Sequence, residues 1–267
     1  MTVNKRVLIV IPARYASTRY PGKPLAELTG ATGKTKSLVQ RSWEAAMSVK
    51  VADKVVVATD SEEICKHARS FGAEVVMTPE SCANGTERCS YVAKKYRNYD
   101  IIVNLQGDAP LTPAAFVEDL VLAFDDPNIA VATPVLRCDA EALAGFKNDR
   151  ANGRVGGTTV VFNNKMEALY FSKEVLPYTG EGVPEEMRMP VFHHVGVYGY
   201  RREALARYMD LREGRWEKWE GLEQLRFLEN SVKVKCVEMG RGYQFWELNN
   251  PTDVPIIEKM LREAGIE

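Results

Sequence analysis

No two cysteines in this chain stand at redox or zinc-ligand spacing. The five, Cys65, Cys82, Cys89, Cys138 and Cys236, are odd in number and scattered, which argues against a disulfide-stapled scaffold and against the usual cysteine-based zinc sites. They are expected to be reduced thiols filling the core. No apolar run reaches the length of a membrane span, and the stretch in MTVNKRVLIVIPAR is too short for a signal-peptide core. A cytoplasmic protein without a membrane partner is therefore expected. Charge of one sign is missing as well: 35 Lys and Arg against 36 Asp and Glu leave a net charge of -1. No bulk basic face of the kind that drives nonspecific nucleic-acid binding follows from those totals. The chain also lacks a Walker A motif, a glycine-rich dinucleotide fingerprint and a GxSxG elbow, so P-loop kinase, Rossmann dehydrogenase and esterase readings lose their main support. It contains no internal repeat and no low-complexity segment.

What is present is an alternation of strand and helix patterns through the first half, as expected of a parallel sheet with crossover helices. The run from Arg6 to Ile11 is apolar and β-branched, which suits a strand covered on both faces. Lys54 to Thr59, Glu74 to Met77, Ile101 to Gln106 and Ile129 to Thr133 read as further strands. Helices are predicted over Ser61 to Phe71, Asn84 to Tyr96 and Pro113 to Phe124, with Gly72 at a helix stop. From about Asp139 the pattern loosens, and DRANGRVGG reads as a flexible connection. Gly157 to Phe162 and Val191 to Tyr200 read as strands, open to antiparallel pairing. Glu181 to Met189 reads as an exposed loop, and Gly221 to Asn230 as a helix whose polar face carries Glu223, Gln224 and Arg226. Near the end, Asn250 caps a helix with Pro251 at its first position and Asp253 in its first turn.

The loop IPARYASTRYPGKP follows the first strand and therefore lies at the carboxyl edge of the sheet, where open α/β folds bind ligands. Arg14, Arg19 and Lys23 fall close together in it, with Pro21 and Gly22 turning the backbone between them. Guanidinium forks and a mobile ammonium suit a triphosphate. Gln106, Gly107 and Asp108 emerge at the same edge. On spacing alone Asp108 reads equally as a magnesium ligand, bridging to substrate phosphates, or as a turn aspartate before Pro110. Gly85, Thr86, Glu87 and Arg88 open a helix, whose free backbone N–H groups suit an anion or a base edge, although a glycine at a helix start more often only relieves a turn. Of His193 and His194, adjacent on a strand, one must face inward and one outward; the usual reading of an inward histidine is a hydrogen-bonded core residue. Trp216, Trp219 and Trp246 read as packing or interface residues.

Seven ordered blocks resemble one family, the CMP-Kdo synthetases (3-deoxy-manno-octulosonate cytidylyltransferases) of the nucleotide-diphospho-sugar transferase fold. They are IPARYASTRYPGKP, VATD, NGTER, VNLQGDAP, ALYFSK, HHVGVYGYR and LEQLRFLE. The resemblance implies an α/β fold with a mostly parallel, Rossmann-like sheet and a smaller mixed α/β sugar-binding and dimerisation part. It divides a single 1–267 domain into a nucleotide part, about 1–138 plus 231–267, and a sugar part, about 139–230.

The implied reaction is attack of an acidic sugar's anomeric hydroxyl on the α-phosphorus of CTP, with pyrophosphate leaving. Arg14 and Lys23 are implied to hold the triphosphate, with Arg19 in the same loop. Gly85, Thr86 and Arg88 would lie near cytosine and ribose, Gln106 would face nucleotide or sugar, and Asp108 would bind Mg2+. Lys173, His194, Tyr198, Glu223 and Gln224 would form the sugar pocket. A homodimer feeding lipopolysaccharide or capsule synthesis is implied too. The chain departs from the family pattern at Ala109, where a glutamate is usual, and at Lys173, where arginine is commoner. It departs again at Asn249, where a second metal-binding aspartate is usual; Asn249 would still offer the metal its carbonyl oxygen with one negative charge fewer, and Glu247 or Asp253 could make up that charge. These departures suggest a variant subgroup. Transfer to a nonulosonic acid or a phosphonate, or a silent CTP-binding regulatory homologue, are the alternatives.

Overall fold

The computed structural model describes residues 5–16, 20–155, 157–180, 183, 188–240 and 245–267. The predicted loop over Glu181 to Met189 falls mostly outside them, as does Arg19. Strand β1 (Val7–Pro12) is followed by a small hairpin, β2 (Glu27–Thr29) and β3 (Thr35–Ser37), and by helix α1 (Leu38–Met47), none of which the sequence pattern revealed. Then come β4 (Lys54–Thr59), α2 (Glu62–Ser70), β5 (Glu74–Met77), α3 (Gly85–Lys95), β6 (Ile101–Leu105), α4 (Ala114–Ala123) and β7 (Val131–Arg137). These match the expected elements to within a few residues. Helix α5 (Ala140–Ala151), capped by the Asp139 side chain on Ala142 N, occupies part of the segment read as a flexible connection. It was illegible because only Leu143 of the helix is buried, so it shows almost no apolar stripe.

The second half adds β8 (Thr158–Phe162), β9 (Ala168–Ser172), β10 (Phe192–His194), β11 (Val197–Arg201), α6 (Arg202–Tyr208), α7 (Arg215–Glu220), α8 (Leu225–Glu229), β12 (Val234–Glu238) and α9 (Val254–Glu263). The helix read from Gly221 is thus a turn followed by five helical residues.

Ten strands form one sheet. β5, β4, β1 and β6 run parallel, and β11 lies antiparallel between β6 and β7. β12 is parallel to β7. The stretch read as one strand from Val191 to Tyr200 is two. β11 pairs with β6 and β7, whereas β10 pairs with β7 and β8, and antiparallel β9 follows at the edge. The sheet therefore forks at Val195 and Gly196, beside the end of β6. One apolar layer, around Ile9, Val57, Val103, Phe116 and Leu120, fills one face; a second, around Val10, Ile102, Tyr200, Tyr208 and Phe227, fills the other. All five cysteines are buried free thiols, as expected.

Arg226, expected on a polar face, is 7% exposed. Its Nε and Nη2 donate to Glu217 at 2.8 and 2.7 Å, its Nη1 to Glu87 at 3.2 Å, and its guanidinium lies 4.4 Å from the centroid of the Tyr208 ring. One arginine thereby ties α8 to α7 and to the first turn of α3. Removing one partner of such a buried group leaves uncompensated charge behind. Arg226→Met is expected to destabilise the protein by about 3–5 kcal/mol, read as a fall in the urea denaturation midpoint.

Candidate functional site

A cleft of about 1150 Å³ opens at the fork, along the carboxyl ends of β1 and β6. Its first wall begins with the loop after β1. Gly22, in the left-handed region at φ 67°, starts the short helical turn Lys23–Leu25, and its N–H donates to the Tyr15 carbonyl at 3.1 Å. The loop is thereby folded back so that Lys23 faces the end of β6, where its Nζ meets Asp108 Oδ2 at 2.6 Å. Arg14 is exposed at the mouth and donates from Nη1 to the Ala83 carbonyl at 3.4 Å. Asp60, at the end of β4, accepts from Tyr15 N at 3.4 Å and from Arg88 Nη2. Arg88 is only 2% exposed, yet lines the cleft.

Gly85 lines the same wall at the start of α3; a Cβ there would stand 3.0 Å from Asn104 Nδ2 and 3.3 Å from Gln106 Nε2, so a side chain would require both amides to shift by a few tenths of an ångström. Thr86 is turned away. Its hydroxyl is buried against the Tyr200 hydroxyl at 2.8 Å, and its N–H donates to Glu223 Oε2 at 3.1 Å. Glu87 N is held by the Asn84 cap. Two of the amides expected to receive a ligand are therefore already used inside the protein.

The opposite wall brings together Lys173, His194, Tyr198, Glu223 and Gln224, as the resemblance implied. Glu223 bridges the walls, because its second oxygen accepts from Gln106 Nε2 at 3.4 Å. Burial, opposed by the Thr86 hydrogen bonds, pushes its carboxyl above the usual range. Gln224 is 2% exposed, and its Nε2 is a buried donor with no partner, a group that a ligand oxygen in this cleft would satisfy. His194 packs between Thr133 and Thr158, whose hydroxyls lie 3.0 Å from its two ring nitrogens. Burial and then His193 push it down to about 3; burial and then Arg150 push His193 to about 4. Both are neutral imidazoles, the inward one hydrogen-bonded as its type predicts. Burial also drives the Tyr198 phenol well up, so it remains a neutral hydroxyl.

The third wall is the chain after β12. Leu248 N donates to the Asp108 carbonyl at 2.8 Å, which draws Glu247 and Asn249 into the cleft lining beside Asp108. Asn249 Nδ2 donates to Glu247 Oε2 at 3.4 Å. A Cβ on Gly196 would lie 2.7 Å from Glu247 Oε1, so the glycine at the fork leaves room for that carboxylate. Asp253, the other proposed substitute, is committed elsewhere: its Oδ2 accepts from Asn249 N at 2.9 Å and Asn250 N at 2.7 Å in a capping box. The remaining set, Asp108, Glu247 and Asn249, offers only oxygen donors and two carboxylates, which fits the hard-donor demand of Mg2+. Ala109 is wholly buried and faces the packing under this loop.

Among the lining residues the sequence reading did not assign to the site are three with polar side chains, Arg154, Thr158 and Thr252. Arg154 and Thr158 follow the unread helix α5, and no motif marked them.

Because the two cleft histidines are neutral when folded but have ordinary values near 6.5 when unfolded, the unfolded state binds more protons below that pH. Their contribution to stability is complete above pH 6.5 and falls as pH drops toward about 4 and 3. Histidine ring-proton NMR of the folded protein should show His193 and His194 not titrating between pH 5.5 and 8, and urea midpoints should decline through the acid window.

Comparison with known proteins gives a consistent picture. A family profile described as cytidylyltransferase matches residues 8–234. The chain is similar to the 3-deoxy-manno-octulosonate cytidylyltransferase of Maricaulis maris, at 41% identity over 97% of this chain and 98% of that one. It is similar to the protein of that name from Chlamydia pneumoniae, also at 41%, over 94% and 92%. A solved CMP:2-keto-3-deoxy-manno-octonic acid synthetase complexed with CTP superposes with a TM-score of 0.81 at 33% identity, covering 97% of this chain and 99% of that one.

Proposed function

The chain belongs to the cytidylyltransferase family, and on that premise we propose that it transfers CMP from CTP to the anomeric hydroxyl of 3-deoxy-manno-octulosonate or a close 3-deoxy-ulosonic acid. The hydroxyl oxygen bonds to the α-phosphorus, the bond from that phosphorus to the bridging oxygen breaks, and pyrophosphate leaves with the hydroxyl proton lost. The observation that carries the reading is the meeting, in one cleft, of the loops after β1 and β6 with the residues expected to take a sugar acid.

No protein nucleophile is needed, since positioning and neutralisation of charge carry such transfers. Arg14 and Lys23 hold the triphosphate, and Gly85 and Arg88 border the nucleoside. Arg19 belongs to the same loop, outside the described residues. Thr86 contributes by anchoring Glu223 rather than by contact. Gln106 orients ligand groups at the fork, and Lys173, His194, Tyr198, Glu223 and Gln224 take the acceptor. The mixed donors and acceptors of that set suit a polyol. Mg2+, held by Asp108 with Glu247 or Asn249, supplies charge neutralisation on the phosphates. The Lys23 ammonium compensates the Asp108 carboxylate at 2.6 Å; a magnesium ion held by that carboxylate would supply its own compensation and leave the Lys23 ammonium to the phosphates. Asn249 marks a subgroup in which Glu247 replaces the usual second carboxylate.

The reading extends to the setting. Leu169 on edge strand β9 is 61% exposed and Trp219 on α7 is 81% exposed, two large apolar side chains of the sugar part that a homodimer interface would cover. Among the described residues no helix is long and apolar enough to cross a membrane; we place the enzyme in the cytoplasm, supplying lipopolysaccharide or capsule synthesis.

Pyrophosphate release is the test, with CTP, Mg2+ and a panel of Kdo, its 8-amino analogue, shorter 3-deoxy acids, sialic acid and an aminoalkyl phosphonate. Turnover with Kdo or a close 3-deoxy acid is expected. Turnover confined to sialic acid or the phosphonate reassigns the acceptor, and CTP binding with silence across the panel overturns the enzyme reading. Asp108→Asn should keep the fold and lower kcat by about 100-fold or more, the scale of one preorganised electrostatic contact.

A further inference from the structure

The acceptor wall has an electrostatic shortfall. An acidic sugar brings a carboxylate, but His193 and His194 are neutral and Tyr198 is a phenol, which leaves Lys173 as the cation among the residues assigned to it. Two arginines stand at the same end. Arg154 lines the cleft, oriented by Asp149, whose Oδ1 accepts from its Nε at 3.3 Å and its Nη2 at 3.2 Å. Arg150, one turn earlier on α5, lies behind it. Its guanidinium is 5.3 Å from the Phe146 ring centroid, and its Nη2 donates to the Gly157 carbonyl at 2.5 Å.

The Nε and Nη1 of Arg150 are buried with no hydrogen-bond partner, and Glu174 and Asp149 act on the group only through space. Burial lowers its pKa despite both acids, so its charge is under-compensated. Gly157, whose carbonyl Arg150 holds, lines the cleft. A Cβ there would come within 2.8 Å of His193 Nε2 and 3.1 Å of Phe146, so the bare backbone at this position packs directly against both rings. Buried donors left unmatched cost free energy that a ligand acceptor restores. A guanidinium presents a planar fork that matches a carboxylate.

We propose that Arg150 and Arg154, at the α5 end of the cleft, form the subsite that recognises the carboxylate of the acceptor acid. The inference rests on the CMP-transfer reading and assigns within it the group that distinguishes an acid from a neutral sugar. The triphosphate is not the anion concerned: Arg14 and Lys23 belong to β1's loop, and β6 and the β10–β11 run lie between β1 and β8 in the sheet.

The test is steady-state pyrophosphate release by the parent, Arg150→Met and Arg154→Gln, with Kdo and with its carboxamide. Each variant is expected to raise the KM for Kdo by about 10-fold or more, the scale of one charge-assisted hydrogen bond, with the KM for CTP within twofold. The preference for acid over carboxamide should shrink by the same factor. Because the guanidinium removed is under-compensated, Arg150→Met should melt no lower than the parent. Unchanged acceptor KM and unchanged preference in both variants would overturn the subsite while the parent's turnover keeps the CMP-transfer reading. A lower melting temperature with unchanged acceptor KM would make Arg150 a structural pin for Gly157, and a parallel rise in the KM for CTP would assign the pair to the nucleotide; either overturns the proposal. A parent inert toward Kdo would remove the reading and the subsite together.

Discussion

The run of chain from Phe192 to Arg201 must hydrogen-bond to β6 with one half and to β8 with the other, and the break this imposes at Val195 and Gly196 creates the cleft. A sheet cannot continue flat across such a change of partner, because each backbone edge serves one neighbour at a time. The strands therefore part beside the carboxyl end of β6, where Gln106, Gly107 and Asp108 leave the sheet. The absence of a side chain on Gly196 admits the Glu247 carboxylate into the gap. Residues from distant parts of the chain converge because the fork leaves a concavity that each must border.

Two buried ionic ties hold the walls of that concavity in register. Arg226 joins Glu217 to Glu87, and Arg88 joins Asp60 to Thr78, so the last two residues of the NGTER segment are anchored by charge-assisted hydrogen bonds. Glu223 adds the cross-wall contact, with one oxygen on the first turn of α3 and the other on Gln106. A shift of the α7–α8 segment is thereby transmitted to the start of α3 and to β6. Arg226, Glu217 and Glu87 lie outside the cleft lining, so part of this support comes from groups apart from the site residues they hold in place.

The parallel half was legible because its strands are covered on both faces and its helices carry apolar stripes: Lys54–Thr59 and Glu74–Met77 were read to the residue. The site was legible where motif and sheet edge coincide, as at Lys23, Gln106 and Asp108. Reading failed where the pattern depends on tertiary partners. Arg226 is indistinguishable in sequence from a solvated arginine until Glu217 and Glu87 are in place. Helix α5 buries one side chain and so carries no periodicity. The break at Gly196 depends on which strands flank it, and local propensity holds no record of that. Thr86 belonged to a recognised motif, yet its hydroxyl answers to Tyr200 on a strand more than a hundred residues away.

The neutrality of the paired histidines has a consequence for the whole cleft. Were either ring charged, positive charge would be spread over the acceptor wall and would rise and fall near physiological pH. Instead His194 is enclosed by two threonine hydroxyls and His193 by Phe146 and Phe245, which hold both uncharged. Positive charge on that wall then resides in lysine and arginine, whose protonation does not change across the neutral range. On the opposite wall the Lys23 ammonium is balanced by Asp108, and Arg88 by Asp60. On the α5 side Arg150 stays under-compensated, while at the mouth the exposed Arg14 donates to the Ala83 carbonyl. If Arg150 and Arg154 take the acceptor's carboxylate as proposed, the acid's hydroxyls are left on the side of the fork, where Gln106 and Asp108 line the cleft.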